Sequence, residues 1–427
     1  MFTQITLKNF RTHKLTSIDL SPITLLIGNN NSGKSNLLEG IQHFSNLIKR
    51  GRLENKDTEK CIFSADILNH RYRLSSREKS MGFKISWNNC TDGSITYEID
   101  LCEVPTIVDD TSTFREIEMY LGHVSCIERI SIKLNNHTEK KFSSGEDQKT
   151  NLVALRQNIE DGKCQNLKLS ERRLCREFFE DFDNTFSYHF QPAFLKDSTY
   201  KSNHELTETN STKIPTELGK TGIGLQGIIK YIKENDDHTF ARFIALLRRF
   251  EINFQGIRYE NTISQLLWGF DLARKGSVEE FSPDAISDGF MKAAAISLLA
   301  SLKKPPALIL LEEIENGINP SNIQELMHWI WQMTSPNLEG IISQFIITSH
   351  SPSVLREFHN HLDHVYTVRL DKQSRTSDVR NLNTSLDTLV GIGTVEGEII
   401  EDEITGKRIV DIPKYQLAEL WYSGTIG

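Results

Sequence analysis

The sequence contains no long hydrophobic run, no closely spaced cysteine pair and no excess of positive charge. Nowhere in its 427 residues is there an apolar stretch of about 18 residues, the length that a membrane-spanning helix needs. Residues 1–5 also lack the basic and apolar regions of a signal peptide. The six cysteines are widely scattered without a Cys-x-x-Cys motif, which favours buried free thiols in a reducing cytosol. We therefore expect a cytoplasmic protein without a membrane contact.

Proline, glycine and positive charge are too scarce for several classes of chain. With 11 Pro, 25 Gly and 38% apolar residues, the sequence is neither collagen-like nor of low complexity, and its length corresponds to roughly two to three structural units. The net charge of −8 excludes a polybasic nucleic-acid coat. The basic residues form small groups that are more typical of a solvated face than of a DNA groove. These groups are Arg71, Arg73, Arg77 and Lys79; Arg172, Arg173 and Arg176; and Arg242, Arg248 and Arg249.

A glycine-rich turn follows a nearly continuous apolar run early in the chain. Residues 23–27 are typical of a buried strand. Residues 28–35, Gly-Asn-Asn-Asn-Ser-Gly-Lys-Ser, match the P-loop pattern G-x-x-x-x-G-K-[ST]. The glycines allow backbone N–H groups to surround phosphate oxygens, and the N-terminus of the following helix adds partial positive charge. We predict that Lys34 reaches the β- and γ-phosphates of a nucleotide and that Ser35 binds Mg²⁺.

Two acidic residues end a second apolar strand. Residues 307–311 are apolar and run directly into Glu312 and Glu313. Ligands bind at the carboxyl ends of strands in an open α/β sheet, and adjacent strand residues point to opposite faces. We predict that Glu312 binds Mg²⁺ and that Glu313 faces the attacking water. The alternative is an acid-rich helix N-terminus, because Pro320 and a helix follow soon after.

Two further polar turns have both a functional and a structural interpretation. Residues 287–289, Ser-Asp-Gly, precede a helix and begin 25 residues before Glu312, so they form a second anion site or an ordinary N-cap. His350 follows an apolar strand, where it is a hydrogen-bond partner of a γ-phosphate or water, or a structural histidine. Only the order of P-loop, Ser-Asp-Gly, Glu-Glu and His favours the functional interpretation of both turns.

This order resembles the ABC-type ATPase heads of the SMC/RecF class, and most closely the small OLD-like ATPases. The segments that carry the resemblance are residues 9–11 (Asn-Phe-Arg), 28–35, 286–289, 310–317 and 348–352, with a weaker landmark at residues 220–225. The family often has Asp-Glu-Pro-Glu where residues 312–315 of this chain are Glu-Glu-Ile-Glu.

The resemblance implies a dimer in which two heads enclose two ATP molecules. Ser287 and Gly289 would contact the γ-phosphate of ATP held by a second subunit, and Arg11 would be a phosphate-side contact. Glu313 would be the catalytic base and His350 the switch histidine. The expected ATP-binding residues are Arg11, Gly28, Asn29, Asn30, Asn31, Ser32, Gly33, Lys34, Ser35, Asn36, Ser287 and Gly289. The expected catalytic residues are Lys34, Glu313 and His350, and the expected Mg²⁺ ligands are Ser35 and Glu312.

The expected fold is α/β: an ABC-ATPase head, made of a P-loop parallel sheet and an antiparallel β-meander, with a mainly helical insertion. Short strands at residues 82–87, 94–101, 115–121 and 127–134, separated by turn residues, predict the meander. Helices are predicted at residues 152–159, 170–182, 224–232 and 239–250, and strands alternating with helices after residue 282 predict the parallel sheet. The predicted domains are residues 1–138 (N-terminal lobe), 139–275 (helical insertion), 276–380 (C-terminal lobe) and 381–427 (tail with a hairpin).

The function that we predict is ATP binding and hydrolysis by a subunit that dimerises through ATP. Stand-alone heads of this resemblance are commonly ATPase subunits of bacterial anti-phage systems that act on a separate effector, expected here to be a nuclease. A fused Toprim nuclease is not expected, because 30 residues after Gly397 are too few for one. The alternative is a RecF-like DNA repair ATPase that binds DNA. A transporter nucleotide-binding subunit is disfavoured by the long insertion.

Overall fold

A computed structural model of the chain describes residues 1–54, 80–89, 92–104, 123–135, 139–143, 167–197, 218–273, 276–401 and 406–426. The strands before residue 200 are β1 (Phe2–Phe10), β2 (His13–Asp19), β3 (Ile23–Ile27), β4 (Met81–Asn89), β5 (Gly93–Val104), β6 (His123–Leu134), β7 (Lys140–Ser143) and β8 (Thr185–Tyr188). The helices of this part are α1 (Lys34–Glu54), α2 (Leu169–Asp183) and α3 (Pro192–Lys196).

The remainder of the chain continues this mixture of helices and strands. Its helices are α4 (Leu225–Asn235), α5 (Asp237–Phe250), α6 (Asp288–Ser301), α7 (Ile323–Met333), α8 (Pro352–Arg356), α9 (Leu382–Gly391) and α10 (Lys414–Tyr422). Its strands are β9 (Phe254–Glu260), β10 (Gln265–Phe270), β11 (Glu279–Phe281), β12 (Leu308–Leu311), β13 (Gln344–Ser349), β14 (Val365–Leu370), β15 (Ser377–Asn381), β16 (Glu398–Glu401) and β17 (Arg408–Asp411).

The chain divides into two compact units. The first unit consists of Met1–Thr185 and Tyr366–Ser385, and the second of Phe186–Val365 and Leu386–Ile426. The P-loop turn therefore belongs to the first unit. The Ser-Asp-Gly turn, the Glu-Glu pair and His350 belong to the second.

An antiparallel sheet in strand order β2-β1-β4-β5-β6-β7 forms the larger part of the first unit. The alternation of β5 buries Ile95, Tyr97 and Ile99 on one face of this sheet. Helix α2 covers that face with aromatic side chains, and the rings of Phe2 and Phe178 meet edge-on at 6.5 Å. The predicted meander is confirmed, because β4, β5 and β6 pair in succession with antiparallel register. The strand predicted at residues 115–121 lies outside the described residues.

The P-loop strand β3 is buried at all five of its residues. Its neighbours within the first unit follow the order β15-β14-β3. Helix α1 begins at Lys34, within the P-loop pattern of residues 28–35, and continues past Gly51 to Glu54. A single glycine lowers helix stability by about 1 kcal/mol and does not break a helix whose neighbouring residues favour it.

The second unit contains the predicted parallel strands. Strands β12 and β13 pair in parallel, with Leu308 opposite Gln344 and Leu311 opposite Ile347, and the order within the unit is β13-β12-β8. Helix α6 precedes β12 and is buried along almost its whole length, because it is apolar on all sides. A three-stranded sheet, in order β11-β10-β9, packs aromatic residues such as Trp268 against Phe290 at the start of α6.

The predicted α/β fold class, with its P-loop strand, parallel strand pair and antiparallel meander, is confirmed. Helices α2, α4 and α5 lie where helices were predicted, and β16 and β17 form the predicted hairpin of the tail. The helix predicted at residues 152–159 lies outside the described residues. The domain boundaries given above stay predictions. Among the helices that the structure describes, none has the length and apolar character needed to cross a bilayer.

Candidate functional site

Two positions of the P-loop turn require glycine. Gly33 has a φ of 109°, a conformation that residues with a side chain rarely take. A Cβ at Gly33 would lie 2.0 Å from Ser377 Oγ, and a Cβ at Gly28 would lie 2.1 Å from the carbonyl oxygen of Val368. The two glycines therefore let the turn pack closely onto the strands behind it. Asn29, Asn30 and Asn31 lie exposed on the turn.

Lys34 is enclosed by the same turn. Its side chain belongs to a residue that is only 5% exposed, and its ammonium donates to the carbonyl oxygens of Gly28 at 2.7 Å and Asn29 at 2.9 Å. The positive charge is thus held on the inner side of the loop, at the N-terminus of α1. Ser35, the next residue, is exposed at this helix end. An ammonium, a hydroxyl and the N–H groups of a first helical turn are the donors that bind phosphate.

His13 supports the P-loop from behind, which the sequence did not predict. Its ring is fully buried, with Nε2 at 2.9 Å from the carbonyl oxygen of Gly33 and Nδ1 at 2.9 Å from Thr16 Oγ1. Burial lowers the pKa of His13 to about 4, so the ring is neutral at physiological pH. Because a carbonyl only accepts, Nε2 carries the proton and donates to Gly33, and Nδ1 accepts from Thr16.

Arg11 lies beside the first turns of α1. It has a left-handed φ of 47°, forms an ion pair with Glu39 and donates to Asn36 Oδ1 at 3.1 Å. Asn36 in turn donates to Thr12 Oγ1 at 3.0 Å. The structure therefore brings Arg11 and Asn36 together with the P-loop, and in this arrangement both side chains bind protein groups.

Glu312 lies in the second unit at the carboxyl end of β12. It is 9% exposed, its backbone amide donates to the carbonyl oxygen of Tyr188 at 3.0 Å, and its Oε2 lies 3.6 Å from His189 Nδ1. A carboxylate such as Glu312 and a hydroxyl such as Ser35 are the hard oxygen donors that Mg²⁺ takes together with phosphate oxygens and water. The donor chemistry of the two predicted ligands therefore fits this ion.

Glu313 has an unusual backbone conformation for a residue with a side chain. Its φ is 48°, in the left-handed region, and such a conformation costs of order 1–3 kcal/mol unless the surroundings enforce it. The amide of Glu313 donates to Thr348 Oγ1 at 3.0 Å, and its carbonyl oxygen accepts from the buried Lys292 ammonium. The Glu313 carboxylate is half-buried and accepts from Asn316 Nδ2 at 3.4 Å. The neighbouring elements thus fix the backbone of Glu313 on both sides.

His350 lies close to the same acidic turn. It directly follows β13, and its backbone amide donates to Glu315 Oε1 at 2.6 Å. Ser351 caps the short helix α8 by accepting from the amide of Ser353 at 3.2 Å. The parallel pairing of β12 and β13 therefore brings Glu313, Glu315 and His350 to one end of the strand pair.

Residues 287–289 begin α6. Ser287 is exposed and caps the helix by accepting from the amide of Phe290 at 3.3 Å, and Asp288 pairs with Lys196 at 2.7 Å. Gly289 is buried, and a Cβ there would lie 2.1 Å from the carbonyl oxygen of Gly317. The structure thus contains the helix N-cap that was the structural interpretation of this turn. The exposed hydroxyl of Ser287 at a helix N-terminus is also compatible with an anion contact.

Sequence reasoning missed several supporting residues: His13, Lys292, Glu315, Thr348 and Ser377. Ser377 donates to the carbonyl oxygen of Ser32 at 2.7 Å, and its Oγ lies 2.7 Å from Thr12 Oγ1. Lys292 had a usable signal, because it is the one charged residue within the apolar run of residues 289–300. The sequence contains no such signal for His13 and Ser377, because their partners depend on how distant strands meet.

Comparison with known proteins gives a matching family and distant relatives. The family of AAA ATPase domains matches residues 1–275, a segment that includes the P-loop. An ATP/GTP phosphatase from Helicobacter pylori (strain ATCC 700392 / 26695) is 22% identical over 382 residues, covering 86% of this chain and 88% of that protein.

Among solved structures, the chain is similar to SMC head domains. The SMC head domain from Thermotoga maritima has a TM-score of 0.41 at 12% identity, covering 89% of this chain and 98% of that chain. An SMC head bound to the C-terminal winged-helix domain of ScpA has a TM-score of 0.47 at 13% identity, covering 89% of this chain and 97% of that chain. Since the family match spans well over half of the sequence, this chain belongs to the family of AAA ATPase domains.

Proposed function

We propose that this member of an ATPase family binds ATP at residues 28–35 and hydrolyses it with Glu313 as the general base. One observation carries the proposal: the Lys34 ammonium is held on the inner side of the turn, at 2.7 and 2.9 Å from two of the turn's own carbonyl oxygens. A cation enclosed in this way is positioned for an anionic ligand that enters the turn. The similarity to an ATP/GTP phosphatase supports a nucleoside triphosphate as that ligand.

The hydrolysis step that we propose consists of positioning and charge neutralisation. Lys34 binds the β- and γ-phosphate oxygens, and Glu313 accepts a hydrogen bond from the water that attacks the γ-phosphorus in line with the leaving oxygen. His350 orients the γ-phosphate or the water from the end of β13. Ser35 and Glu312 would hold Mg²⁺, which would supply charge neutralisation at the phosphate oxygens when bound.

We further propose that two copies of the chain share their active sites. The exposed hydroxyl of Ser287 and the first turn of α6 would contact the γ-phosphate of ATP bound to the partner, as the resemblance to SMC/RecF heads implies. ATP would then favour the dimer, and hydrolysis would release it. This is a switch whose state depends on the nucleotide.

The biological use that we propose is control of a separate effector, expected to be a nuclease, in bacterial anti-phage defence. The alternative, a RecF-like DNA-binding ATPase, gains little support from the described basic groups. Arg173 pairs with Glu177 at 2.9 Å, and Arg249 pairs with Glu325 at 3.0 Å. Charges that are already paired within the protein contribute less to DNA binding than a continuous basic groove does.

Phosphate release from ATP by the purified full-length chain tests the enzymatic proposal, with and without Mg²⁺. We expect turnover that needs Mg²⁺ and is absent in Lys34→Ala; turnover at the wild-type rate in Lys34→Ala would contradict the proposal. Affinity purification from the native host with mass spectrometry tests the biological use. A co-purified effector supports the defence role, whereas DNA that co-purifies without an effector supports the alternative.

A further inference from the structure

Lys292 is a buried cation in an otherwise uncharged part of helix α6. The residues from Phe290 to Ala300 are apolar except for Lys292 and Ser297, and Lys292 is 5% exposed. A buried ammonium is costly unless strong hydrogen-bond acceptors surround it. The stability of the charged Lys292 side chain therefore depends on the protein groups that accept hydrogen bonds from its ammonium.

The acceptors of Lys292 are backbone carbonyls of the turn that carries Glu313. Its Nζ donates to the carbonyl oxygen of Glu313 and, at 3.3 Å, to that of Asn316. Burial lowers the pKa of Lys292 to about 8, although the negative charges of Glu315 and Glu313 favour its charged form. Lys292 therefore remains mostly protonated at neutral pH and binds two peptide groups of the same turn.

The turn from Glu313 to Gly317 is thus held from two directions. On one side, α6 contributes Lys292 and the close approach of Gly289 to the carbonyl oxygen of Gly317. On the other side, β13 contributes Thr348, whose Oγ1 accepts from the Glu313 amide at 3.0 Å. A left-handed φ at a glutamate persists only where the surroundings enforce it, and here both peptide groups of Glu313 have a partner from a different element.

We propose that Lys292 is a positioning residue that fixes the backbone of Glu313 and thereby aims its carboxylate at the attacking water. This rests on the proposed function, in which Glu313 is the general base. The role is indirect, because Lys292 contacts the carbonyl group of Glu313 rather than substrate. Lys292 also connects helix α6, which Ser287 caps, to the turn that carries Glu313.

The experiment is a double-mutant cycle in the full-length chain, with Lys292→Met, Glu313→Gln and the double variant. For Lys292→Met we expect kcat to fall about 10- to 100-fold, as misplacement of a catalytic group does, while the affinity for a fluorescent ATP analogue changes less than about twofold. The double variant should be no slower than Glu313→Gln alone, because Lys292 acts only through Glu313. Lys303→Met is the matched control, because Lys303 is exposed and lies two residues after the end of α6. This variant should keep the wild-type rate.

Two results would overturn the role of Lys292 and leave the proposed function intact. One is a wild-type kcat in Lys292→Met while Glu313→Gln is slow. The other is a double variant whose loss is the product of the two single losses, because a general structural weakening would act independently of Glu313. If Glu313→Gln itself turns over ATP at the wild-type rate, the proposed function and this inference both fail.

A variant that keeps the charge covers the case in which Lys292→Met does not fold. Lys292→Arg retains a cation that can donate to both carbonyls, and it enters the same cycle with Glu313→Gln. We expect its kcat to lie between those of the wild type and Lys292→Met. If only Lys292→Arg folds, its kcat should lie below that of the wild type. Again the loss should vanish in the Glu313→Gln background. A loss of kcat in Lys292→Arg that persists undiminished in that background would overturn the proposal.

Discussion

The carboxylate of Glu315 accepts a hydrogen bond from the backbone amide of His350, with 2.6 Å between Oε1 and N. This contact joins the turn after β12 to the end of β13, and it gives the third acid of the Glu-Glu-Ile-Glu segment a structural role. Because the acceptor is charged, the hydrogen bond is among the stronger ones that a protein makes.

Glu315→Ala should therefore displace His350 and slow hydrolysis. We expect kcat to fall about tenfold, which corresponds to about 1.4 kcal/mol, while Glu315→Gln, which keeps an oxygen acceptor, should lose less than about threefold. Steady-state phosphate release measures both variants. Equal rates in Glu315→Ala and the wild type would show that this contact does not position His350 for catalysis.

Lys34→Ala should weaken nucleotide binding about 100-fold. The variant removes the cation that the turn encloses, and the loss of one charged partner of a phosphate corresponds to about 3 kcal/mol, or a factor of about 100 in the dissociation constant. Isothermal titration with a non-hydrolysable ATP analogue measures this. Lys14→Ala, at an exposed position of β2, is the control and should bind as the wild type does. Tight binding by Lys34→Ala would refute the P-loop assignment.

Glu313→Gln should bind ATP and fail to hydrolyse it. Removing a general base lowers kcat by about 10²- to 10⁴-fold, while the amide keeps the size of the side chain. In a head that dimerises through ATP, the variant should accumulate as a closed dimer. Light scattering during size-exclusion chromatography, with and without ATP, measures the mass. A monomer at saturating ATP would argue against nucleotide-dependent dimerisation.

Glu128→Gln should change the pH dependence of stability. Glu128 is buried in the antiparallel sheet and accepts from Tyr97 Oη at 2.6 Å, and burial raises its pKa to about 8. The folded protein therefore holds a proton that the unfolded chain releases above its ordinary pKa of 4.5, so this carboxyl lowers stability progressively as pH rises from 4.5 to 8. Because glutamine does not ionise, the variant should melt several degrees higher than the wild type at pH 8 and gain little at pH 5.

Thermal unfolding followed by circular dichroism from pH 5 to pH 8 measures this difference. Glu98→Gln, on the neighbouring strand β5 and partly exposed, is the matched control. Its melting temperature should follow that of the wild type at each pH. A constant offset between Glu128→Gln and the wild type across this range would contradict the raised pKa of Glu128.

Local sequence patterns were sufficient for the elements that carry the P-loop and the acids. The apolar runs before Gly28 and before Glu312 predicted buried strands, and the structure has β3 and β12 there. The meander was predictable because each strand alternates and turn residues separate the strands. By contrast, β9 and β10 lie inside the segment predicted to be mainly helical. Both strands are short, and β10 has a nearly continuous apolar run that periodicity alone does not distinguish from a buried helix.

The candidate site was predictable in its residue types and less so in its contacts. The order of motifs selected Lys34, Glu312, Glu313 and His350 as candidates, and their roles stay predictions. The charge of Lys292 within an apolar run is a local signal, but the partners of Lys292 and His13 depend on long-range packing. Gly289 shows a second limit of sequence reasoning: the motif assigns it to a phosphate, and the structure adds a reason within the chain, its close approach to Gly317.

The most direct test of the shared active site is a mixture of two inactive variants. Lys34→Ala lacks the cation of the P-loop, and Ser287→Arg blocks the turn proposed to contact the nucleotide of the partner while its own P-loop stays intact. In a mixed dimer, one site combines the intact P-loop of Ser287→Arg with the intact Ser287 turn of Lys34→Ala. We expect each variant alone to be inactive and an equimolar mixture to recover up to about one quarter of the wild-type rate, since half of randomly formed symmetric dimers are mixed and each holds one intact site of two. A mixture no more active than its components, or full activity of Ser287→Arg alone, would contradict the account.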